Sequence, residues 1–462
     1  MKVNRSRIAA VPLLLACLGC GSEAPTSPGS QGRAPFSPPY LVKDILPGAG
    51  SGVGGRITDG DGVLFFTAND GAHGEQLWRT DGTGAGTAMV TDFARAWGTG
   101  FHWMKPHLYF TADDGVHGTE LWRSDGTARG TGLVRDLVPG AGSLILDNFQ
   151  DARGRLYFFE TAQANVSPFR SFRLLESDGT AEGTGVVRDL GSRYARGSNP
   201  TRMLAPLTLG GRLFFAWDSE IWRSDGSAAG TLALVEDITV SDPVRFVARD
   251  QRLYFTTGTY DVWNGVSGRA GLWTADMESG ARTMLKEFRD ETQLTRLAAA
   301  GASLFFVVDF ADLWRSDGTP EGTALLRARS GNTDYVNPRV SLGGALLFNV
   351  GSSLWRTDGT AAGTTLVHER VSVRGDVVEI DGRAYFAAED GVHGIELWSS
   401  DGTREGTAIV ADLRPGPESS RLGSLVVSGR RLYFPADDGV SGRELWALPL
   451  AASKPELAGP TR

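Results

Sequence analysis

Cysteine is scarce in this chain, since only Cys17 and Cys20 occur among its 462 residues and both lie near the N-terminus. The residues that follow position 20 therefore cannot form a disulfide with one another. An exported domain of this composition has to be stabilised by packing alone, because it lacks the cross-links that strengthen many secreted proteins.

Clusters of basic residues are missing as well. The chain carries 46 Lys and Arg residues against 54 Asp and Glu residues, which gives a net charge of −8. Proteins bind nucleic acids largely by neutralising phosphates with clustered Lys and Arg side chains. The composition therefore predicts no nucleic-acid partner.

Helical patterns of useful length are almost absent after residue 20, whereas glycine is abundant. The chain contains 61 glycines, and its aromatic content is an ordinary 9%. Glycine at nearly twice its average share indicates a chain that is rich in turns and still globular.

The N-terminal segment has the layout of a secretory signal. Lys2, Arg5 and Arg7 form a basic region, and a short apolar run follows over residues 8–18. The run is too short to span a bilayer as a permanent helix, so it predicts a signal peptide.

The end of this segment resembles a bacterial lipoprotein signal, in which a small residue precedes a cysteine that is lipidated. Cys20 fits and is followed by a polar stretch, whereas Cys17 fits as an alternative with a better residue three positions upstream. The resemblance implies a signal peptide over residues 1–19, lipid attachment at Cys20 or Cys17, and anchoring in the bacterial outer membrane. An ordinary cleaved signal, and hence a secreted protein, is the alternative. The composition of residues 20–39, rich in Pro, Ser and Gly, predicts a flexible tether.

An internal repeat organises the rest of the chain, and a Leu-Trp pair marks its centre in most copies. Successive copies are 41 to 53 residues apart, which suits a strand unit with loops of variable length better than a heptad or a short solenoid coil. In the third unit Leu175 replaces the tryptophan. The repeat tryptophans are Trp78, Trp122, Trp222, Trp273, Trp314, Trp355, Trp398 and Trp446.

The second unit shows what each copy contains. A strand with large apolar residues at 108–110 leads through a turn at 113–118 to the Leu-Trp strand. An Asp-Gly turn at 125–131 closes that strand, and a last strand follows at 133–137. With the stretch that leads into the first apolar strand, each unit predicts four antiparallel strands, which is typical of a β-propeller blade.

The two ends of the repeat region predict that the blades close into a ring. The last copy stops near residue 448 without a fourth strand, whereas residues 41–51 align without a gap with residues 133–143. The N-terminal strand would then complete the final blade and remove exposed sheet edges. We expect an all-β fold, a single closed β-propeller of about nine (alternatively eight) four-stranded blades over residues 40–449, followed by a disordered tail over residues 450–462.

The run Glu-Leu-Trp, two residues, Asp-Gly-Thr, two residues, Gly-Thr occurs at residues 120–131 and 396–407. It resembles the ELWxxDGT repeat family of bacterial secreted and lipid-anchored proteins, and the resemblance covers residues 40–449. It implies the repeat type and the fold, but it brings no activity with it.

A second run, residues 112–122, is similar to the tryptophan-docking motif of quinoprotein dehydrogenase propellers. This resemblance implies that the tryptophan ring lies flat between neighbouring blades and forms a hydrogen bond through its N–H group. It does not imply the cofactor chemistry of those enzymes, whose site needs adjacent cysteines or an equivalent platform. We therefore expect no cofactor.

Repeated acidic and histidine residues raise the question of metal binding or catalysis. The Asp of each Asp-Gly turn, such as Asp125, is expected to form the turn, because calcium loops need several acids at alternating positions. Paired acids such as Asp113 and Asp114 belong to the repeat, whereas catalytic residues in repeat proteins usually break it. The repeated histidines lie in different units without a second ligand at metal-binding spacing, so we expect no metal site there. These histidines are His73, His117 and His393.

Departures from the repeat are the best candidates for contact with a ligand. Units three and five contain insertions that include Phe169 and Trp263, and aromatic residues on long loops can contact glycans or proteins. We interpret the chain as a non-catalytic, monomeric binding module of the cell envelope, with an unknown protein or glycan partner and a lipid anchor as its membrane contact. The alternative is a glycan lyase or hydrolase on the propeller scaffold.

Overall fold

The computed structural model describes residues 37–93, 100–161, 169–194, 204–217, 220–236, 238, 246–257, 260–261, 266–267, 270–289, 292–331 and 334–451. Every helix or strand among these residues is a β-strand. The strands form nine four-stranded antiparallel sheets and one two-stranded hairpin. The nine sheets are the blades of a ring, so the predicted all-β propeller with nine blades is confirmed.

The first five blades follow one another along the chain after an initial strand, β1 (Tyr40–Lys43). Blade 1 contains β2 (Val53–Gly60), β3 (Val63–Asn69), β4 (Glu75–Thr80) and β5 (Ala88–Met89). Blade 2 contains β6 (Phe101–Met104), β7 (His107–Asp113), β8 (Thr119–Ser124) and β9 (Gly132–Arg135). Blade 3 contains β10 (Ile145–Ala152), β11 (Arg155–Thr161), β12 (Phe169–Ser177) and β13 (Gly185–Tyr194). Blade 4 contains β14 (Leu204–Leu209), β15 (Arg212–Trp217), β16 (Glu220–Ser224) and β17 (Leu232–Val235). Blade 5 contains β18 (Phe246–Arg249), β19 (Arg252–Thr257), β22 (Gly271–Asp276) and β23 (Arg282–Glu287), with the hairpin β20 (Tyr260–Asp261) and β21 (Val266–Ser267) between its second and third strands.

The last four blades complete the ring. Blade 6 contains β24 (Leu294–Ala300), β25 (Ser303–Val308), β26 (Asp312–Ser316) and β27 (Ala324–Arg327). Blade 7 contains β28 (Val336–Leu342), β29 (Ala345–Val350), β30 (Ser353–Thr357) and β31 (Thr365–His368). Blade 8 contains β32 (Ser372–Ile380), β33 (Arg383–Glu389), β34 (Ile395–Ser400) and β35 (Ala408–Ala411). Blade 9 contains β36 (Val426–Ser428), β37 (Arg431–Asp437), β38 (Arg443–Pro449) and, as its outer strand, β1.

The second strand of each blade is buried on both of its faces. In blade 2, six of the seven residues of β7 are buried, and Phe110 lies opposite Trp122 of β8. A strand that is covered on both faces needs a continuous apolar run instead of an alternating one. The repeated Leu-Phe-Phe and Leu-Tyr-Phe sequences meet that need, because a neighbouring blade covers each face.

The repeat tryptophans lie at the seams between blades, as predicted. Trp398 of blade 8 packs against Leu342 and Leu354 of blade 7, and each of the nine hydrophobic clusters joins two adjacent blades. Leu175 occupies the same place at the seam of blades 2 and 3. The core of the protein is therefore divided among the seams and has no single centre.

The hydrogen bond implied by the docking-motif resemblance forms only in part. Trp122 Nε1 donates to the carbonyl oxygen of Ala112 at 3.1 Å, and Trp273 Nε1 donates to Thr257 Oγ1 at 3.0 Å. Four other repeat tryptophans have a buried Nε1 atom without a hydrogen-bond partner in the described part of the chain. They are Trp78, Trp314, Trp398 and Trp446. Packing of the rings is therefore the shared feature of the seam.

The Asp-Gly turns fit against the preceding blade. Asp125 Oδ1 accepts hydrogen bonds from the N–H and hydroxyl groups of Thr127, both at 2.8 Å, which confirms that this residue forms the turn. Gly226 has a φ of 93°, and a Cβ atom at this position would lie 2.2 Å from the hydroxyl oxygen of Tyr157 in the preceding blade. Only glycine fits both the left-handed backbone and this close approach.

The N-terminal strand closes the ring, as predicted. Strand β1 pairs antiparallel with β38, with Leu41 opposite Trp446. The closure continues into blade 1, because the Tyr40 hydroxyl donates to the carbonyl oxygen of Gly82 at 2.9 Å. Among the described residues there is no helix that is long and apolar enough to cross a membrane.

Candidate functional site

The ring has two faces that differ in their turns. Strands in a blade alternate in direction, so connections between the first and second strands and between the third and fourth strands lie on one face. We call it the Asp-Gly face, after turns such as residues 125–131. Connections between the second and third strands, and between one blade and the next, lie on the opposite face. We call that one the histidine-turn face, after turns such as residues 113–118.

Each histidine turn is held by an aspartate. Asp114 Oδ1 accepts hydrogen bonds from the backbone N–H groups of Val116 and His117, both at 2.9 Å, and its Oδ2 atom lies 2.7 Å from His117 Nδ1. The equivalent bonds from His73 and Ala72 lower the pKa of Asp70 to about 2, and the bond to Asp70 raises the pKa of His73. The histidine is therefore a partner within its own turn.

A valine stands in solvent at the tip of three turns of this kind, two with a histidine after the valine and one with Ser441 in its place. The exposed fractions are 65% for Val116, 59% for Val392 and 77% for Val440. In all three turns an aspartate accepts hydrogen bonds from the backbone of this valine and of the residue after it. The turns therefore hold apolar side chains away from the core in a fixed conformation.

Two aromatic residues are exposed on the same face in blades 6 and 7. Phe310 lies in the turn between β25 and β26 and is 44% exposed, and Tyr335 lies just before β28 and is 63% exposed. The two segments are joined by a hydrogen bond of 2.8 Å from the Val336 N–H group to the carbonyl oxygen of Phe310. They form one aromatic patch on the histidine-turn face.

The insertions that were singled out in the sequence interrupt the connections between the second and third strands of blades 3 and 5. Phe169 is the first residue of β12 and lies opposite Tyr194, at the end of the connection between the second and third strands of blade 3. Trp263 lies outside the described residues. Cys17 and Cys20 also lie outside the described residues.

The glutamate of the Glu-Leu-Trp motif is a buried carboxylate, which the sequence did not reveal as a distinct site. Glu120 is fully buried and accepts hydrogen bonds from the N–H groups of Leu137 and Val138, at 3.1 and 3.2 Å. Burial raises the pKa of Glu120 to about 7, although these bonds oppose the shift. Glu396 and Glu444 make equivalent bonds to the loop that follows their own blade. The signal in the sequence was the Glu that recurs before Leu-Trp in some of the units, but the backbone groups that it binds lie in another segment.

A cavity opens between blades 4 and 5 on the Asp-Gly face, where unit five lacks the usual Gly-Thr sequence. Its volume is about 330 Å³, and Phe214 and Met277 contribute apolar surface to it. Arg212 forms an ion pair with Glu278, and Arg223 lies 3.3 Å from the same carboxylate. The carboxylate of Glu278 is therefore already bound by two arginines.

No model of a known protein family matches the chain, and no curated protein matches it. Among solved structures, the chain is similar to the computationally designed Ika8 protein, with 13% identity, 78% of this chain and 98% of that chain covered, and a TM-score of 0.46. It is similar to puromycin hydrolase, with 13% identity, 87% and 61% coverage and a TM-score of 0.43. It is also similar to BamB from Moraxella catarrhalis, with 14% identity, 77% and 95% coverage and a TM-score of 0.39. None of these similarities assigns an activity to this chain.

Proposed function

We propose that the chain is a non-catalytic binding module of the bacterial cell envelope, of the ELWxxDGT repeat type, and that it contacts its partner with the histidine-turn face. The partner is a protein or a glycan of the envelope. The observation that carries this proposal is the display of Val116, Val392 and Val440 in solvent on turns that are each held by an aspartate.

Exposed apolar groups on rigid turns favour binding for two physical reasons. Covering a valine that is more than half exposed removes apolar surface from water, which contributes about 25 cal/mol per Å². A turn that is already fixed loses little conformational entropy when a partner binds. The aromatic patch of Phe310 and Tyr335 and the start of β12 at Phe169 lie on the same face, so the contact surface extends across several blades. Trp263, which lies outside the described residues, stays a candidate contact from the sequence.

The structural use of the repeated acids supports the non-catalytic part of the proposal. Asp125 holds a turn, Asp114 holds a histidine turn, and Glu120 binds the loop between blades 2 and 3. Each of these carboxylates bonds to backbone N–H groups of its own blade or of the connection that follows it. The basic region, apolar run and Cys20 at the N-terminus support the envelope location and the lipid anchor.

The proposal is tested by a binding screen with matched variants. The full chain is immobilised and probed with a glycan array and with fractionated envelope extract. The variant Val116→Ser/Val392→Ser/Val440→Ser should bind the captured component roughly tenfold or more weakly, because it loses three apolar contacts. Melting curves should show that its fold is intact.

The control replaces exposed apolar residues by serine on the outer strands of two blades. The variant Leu325→Ser/Leu366→Ser alters two exposed leucines of β27 and β31, away from the histidine-turn face. It should bind like the wild type. Equal loss of binding in both variants, or full binding by the valine variant, would contradict the proposal.

A further inference from the structure

Six of the inner strands contain a register shift, or β-bulge, against the second strand of their blade. A bulge leaves residues unpaired and redirects their side chains. In blades 6 and 7 the shift includes Arg296 and Arg339, and in blade 8 it begins directly after Arg374. We call these three residues the arginine trio. The six shifted strands are β2, β10, β14, β24, β28 and β32.

The arginine trio spans three adjacent blades. Arg296 Nη1 donates to Asn337 Oδ1 of blade 7 at 2.7 Å, and Arg339 Nη2 donates to the carbonyl oxygen of Val373 in blade 8 at 2.5 Å. These bonds tie each guanidinium group to the inner strand of the next blade. Arg339 Nε also donates to Asn349 Oδ1 at 3.0 Å, and the other N–H groups of the planar forks remain for further acceptors.

Negative charge does not balance this cluster. Arg374 pairs with Glu389, but among the described residues no carboxylate forms an ion pair with Arg296 or Arg339. Arg339 is half-buried, and this burial together with the positive charges of its two neighbours lowers its pKa to about 10. Arg296 and Arg339 therefore carry positive charges without an ion-pair partner among the described residues, beside Arg374, in a chain whose net charge is −8.

The trio lies at the mouth of the central opening on the histidine-turn face. Strands β24, β28 and β32 are the innermost strands of their sheets, and β28 contacts both of the others, so their free edges line the opening. Each arginine is the third or fourth residue of its strand, close to the connection from the preceding blade. The aromatic patch of Phe310 and Tyr335 lies on the same face of blades 6 and 7.

We propose that the arginine trio binds the oxyanion of an acidic saccharide, either a uronate carboxylate or a sugar phosphate. Guanidinium forks match both oxyanions and can bind them in a bidentate manner. A bound oxyanion compensates the charge that Arg296 and Arg339 leave unbalanced. The exposed rings of Phe310 and Tyr335 offer apolar faces on which a sugar ring can pack. This inference rests on the proposed function, since it places the ligand on the histidine-turn face.

The test uses three sugars with the same ring: glucuronate, glucose 6-phosphate and glucose. Calorimetric titration of the full chain should detect binding of at least one anionic sugar and at least tenfold weaker binding of glucose. A preference for glucuronate identifies a carboxylate ligand, and a preference for glucose 6-phosphate identifies a phosphate ligand. Affinity should fall as salt rises, because salt screens exposed charges.

The variants keep the fold and change the charge. Arg296→Gln/Arg374→Gln alters the two exposed members of the trio and spares Arg339, and it should weaken binding of the anionic sugar about tenfold or more. Arg370→Gln is the matched control, because Arg370 is exposed in the connection before β32 and lies outside the trio. It should bind like the wild type.

Three outcomes would overturn the inference: no binding of either anionic sugar by the wild type, equal affinity for glucose, or unchanged affinity in the double Gln variant. The valine variants described above separate this inference from the proposed function. If wild-type capture of an envelope component depends on those valines while all three sugars fail to bind, the binding module stands and the oxyanion site is wrong.

Discussion

At the scale of single residues, the buried glutamates behave unlike ordinary surface acids. Glu120 and Glu444 are surrounded by backbone N–H groups and have no cation as a partner in an ion pair within the described residues. Burial penalises the charged form, and it raises the pKa of each carboxyl from 4.5 to about 7. In blade 1 the position is filled by Gln76, which bonds to Thr91 and Phe93 in a similar way. A neutral side chain is therefore compatible with this site.

We expect Glu120→Gln/Glu444→Gln to reduce the dependence of stability on pH. A carboxyl with a raised pKa in the folded state contributes stability that is fully present below its unfolded pKa, and this stability is lost as pH rises through the folded pKa. The free energy of unfolding of the wild type should therefore fall between about pH 4.5 and pH 7, and that of the variant should fall less. Urea unfolding across this range measures the difference. In the reverse control, Gln76→Glu should make the free energy of unfolding depend more steeply on pH. If this free energy varied with pH in the same way in all three proteins, the buried glutamates would not cause the dependence.

The position of the repeat tryptophans between blades predicts that Trp122 contributes more to stability than Asp125 does. Trp122 is buried between blades 1 and 2, so Trp122→Ala should lower the free energy of unfolding by about 3–5 kcal/mol. Asp125→Ala removes a turn acceptor in the same blade and should cost only about 1 kcal/mol. Denaturant unfolding of both variants gives the comparison. If the Trp122→Ala protein were as stable as the wild type, the indole ring of Trp122 would not stabilise the contact between blades 1 and 2.

At the scale of elements, the stability of the ring depends on the closing strand β1. Strand β1 supplies Leu41 to the pairing with β38 and Val42 to the hydrophobic cluster of blades 9 and 1. The backbone of Ile45, just beyond the strand, donates to Glu444 at 3.2 Å. Loss of this strand would expose two sheet edges and leave Glu444 buried without its partners.

Deletion of residues 40–48 should therefore lower the unfolding midpoint sharply or cause aggregation. Deletion of residues 21–36, which belong to the predicted tether, is the matched control and should leave the midpoint unchanged. Thermal melts and light scattering of the two truncated proteins measure both effects. If the protein without residues 40–48 melts like the wild type, β1 does not hold the ring together.

The sequence predicted the elements that depend on local chemistry. The conformational preferences of Asp125 and Gly126 predict a turn. The alignment of residues 41–51 with residues 133–143 predicts that the N-terminal strand closes the ring. The sequence did not predict the bulge at Arg296 or the partners of Glu120. Both depend on segments that come together only in the folded ring. The histidine-turn face can be recognised only when the direction of every strand is known.

At the scale of the whole molecule, the proposed lipid anchor predicts that an N-terminal cysteine attaches the propeller to a membrane. We predict that labelling of cells with a palmitate analogue marks the wild-type protein and that Cys20→Ala abolishes the label. Cys17→Ala is the matched control and should keep it, because Cys20 is followed directly by the polar stretch. Loss of the label in Cys17→Ala alone would move the site three residues upstream, and labelling of the double variant would refute the lipoprotein assignment.

The closure also sets the order in which the protein can fold. Ile45 and Glu444 are 399 residues apart, and β1 is the first strand of the ring to be synthesised whereas its partner β38 is the last. Contacts of such high sequence separation form slowly, because a long loop must close before they stabilise the chain. The seam between blades 9 and 1 therefore has to close after the contacts within each blade, which are local in the sequence. Until that seam closes, β1 remains an unpaired strand, which is the state in which another chain could pair with it.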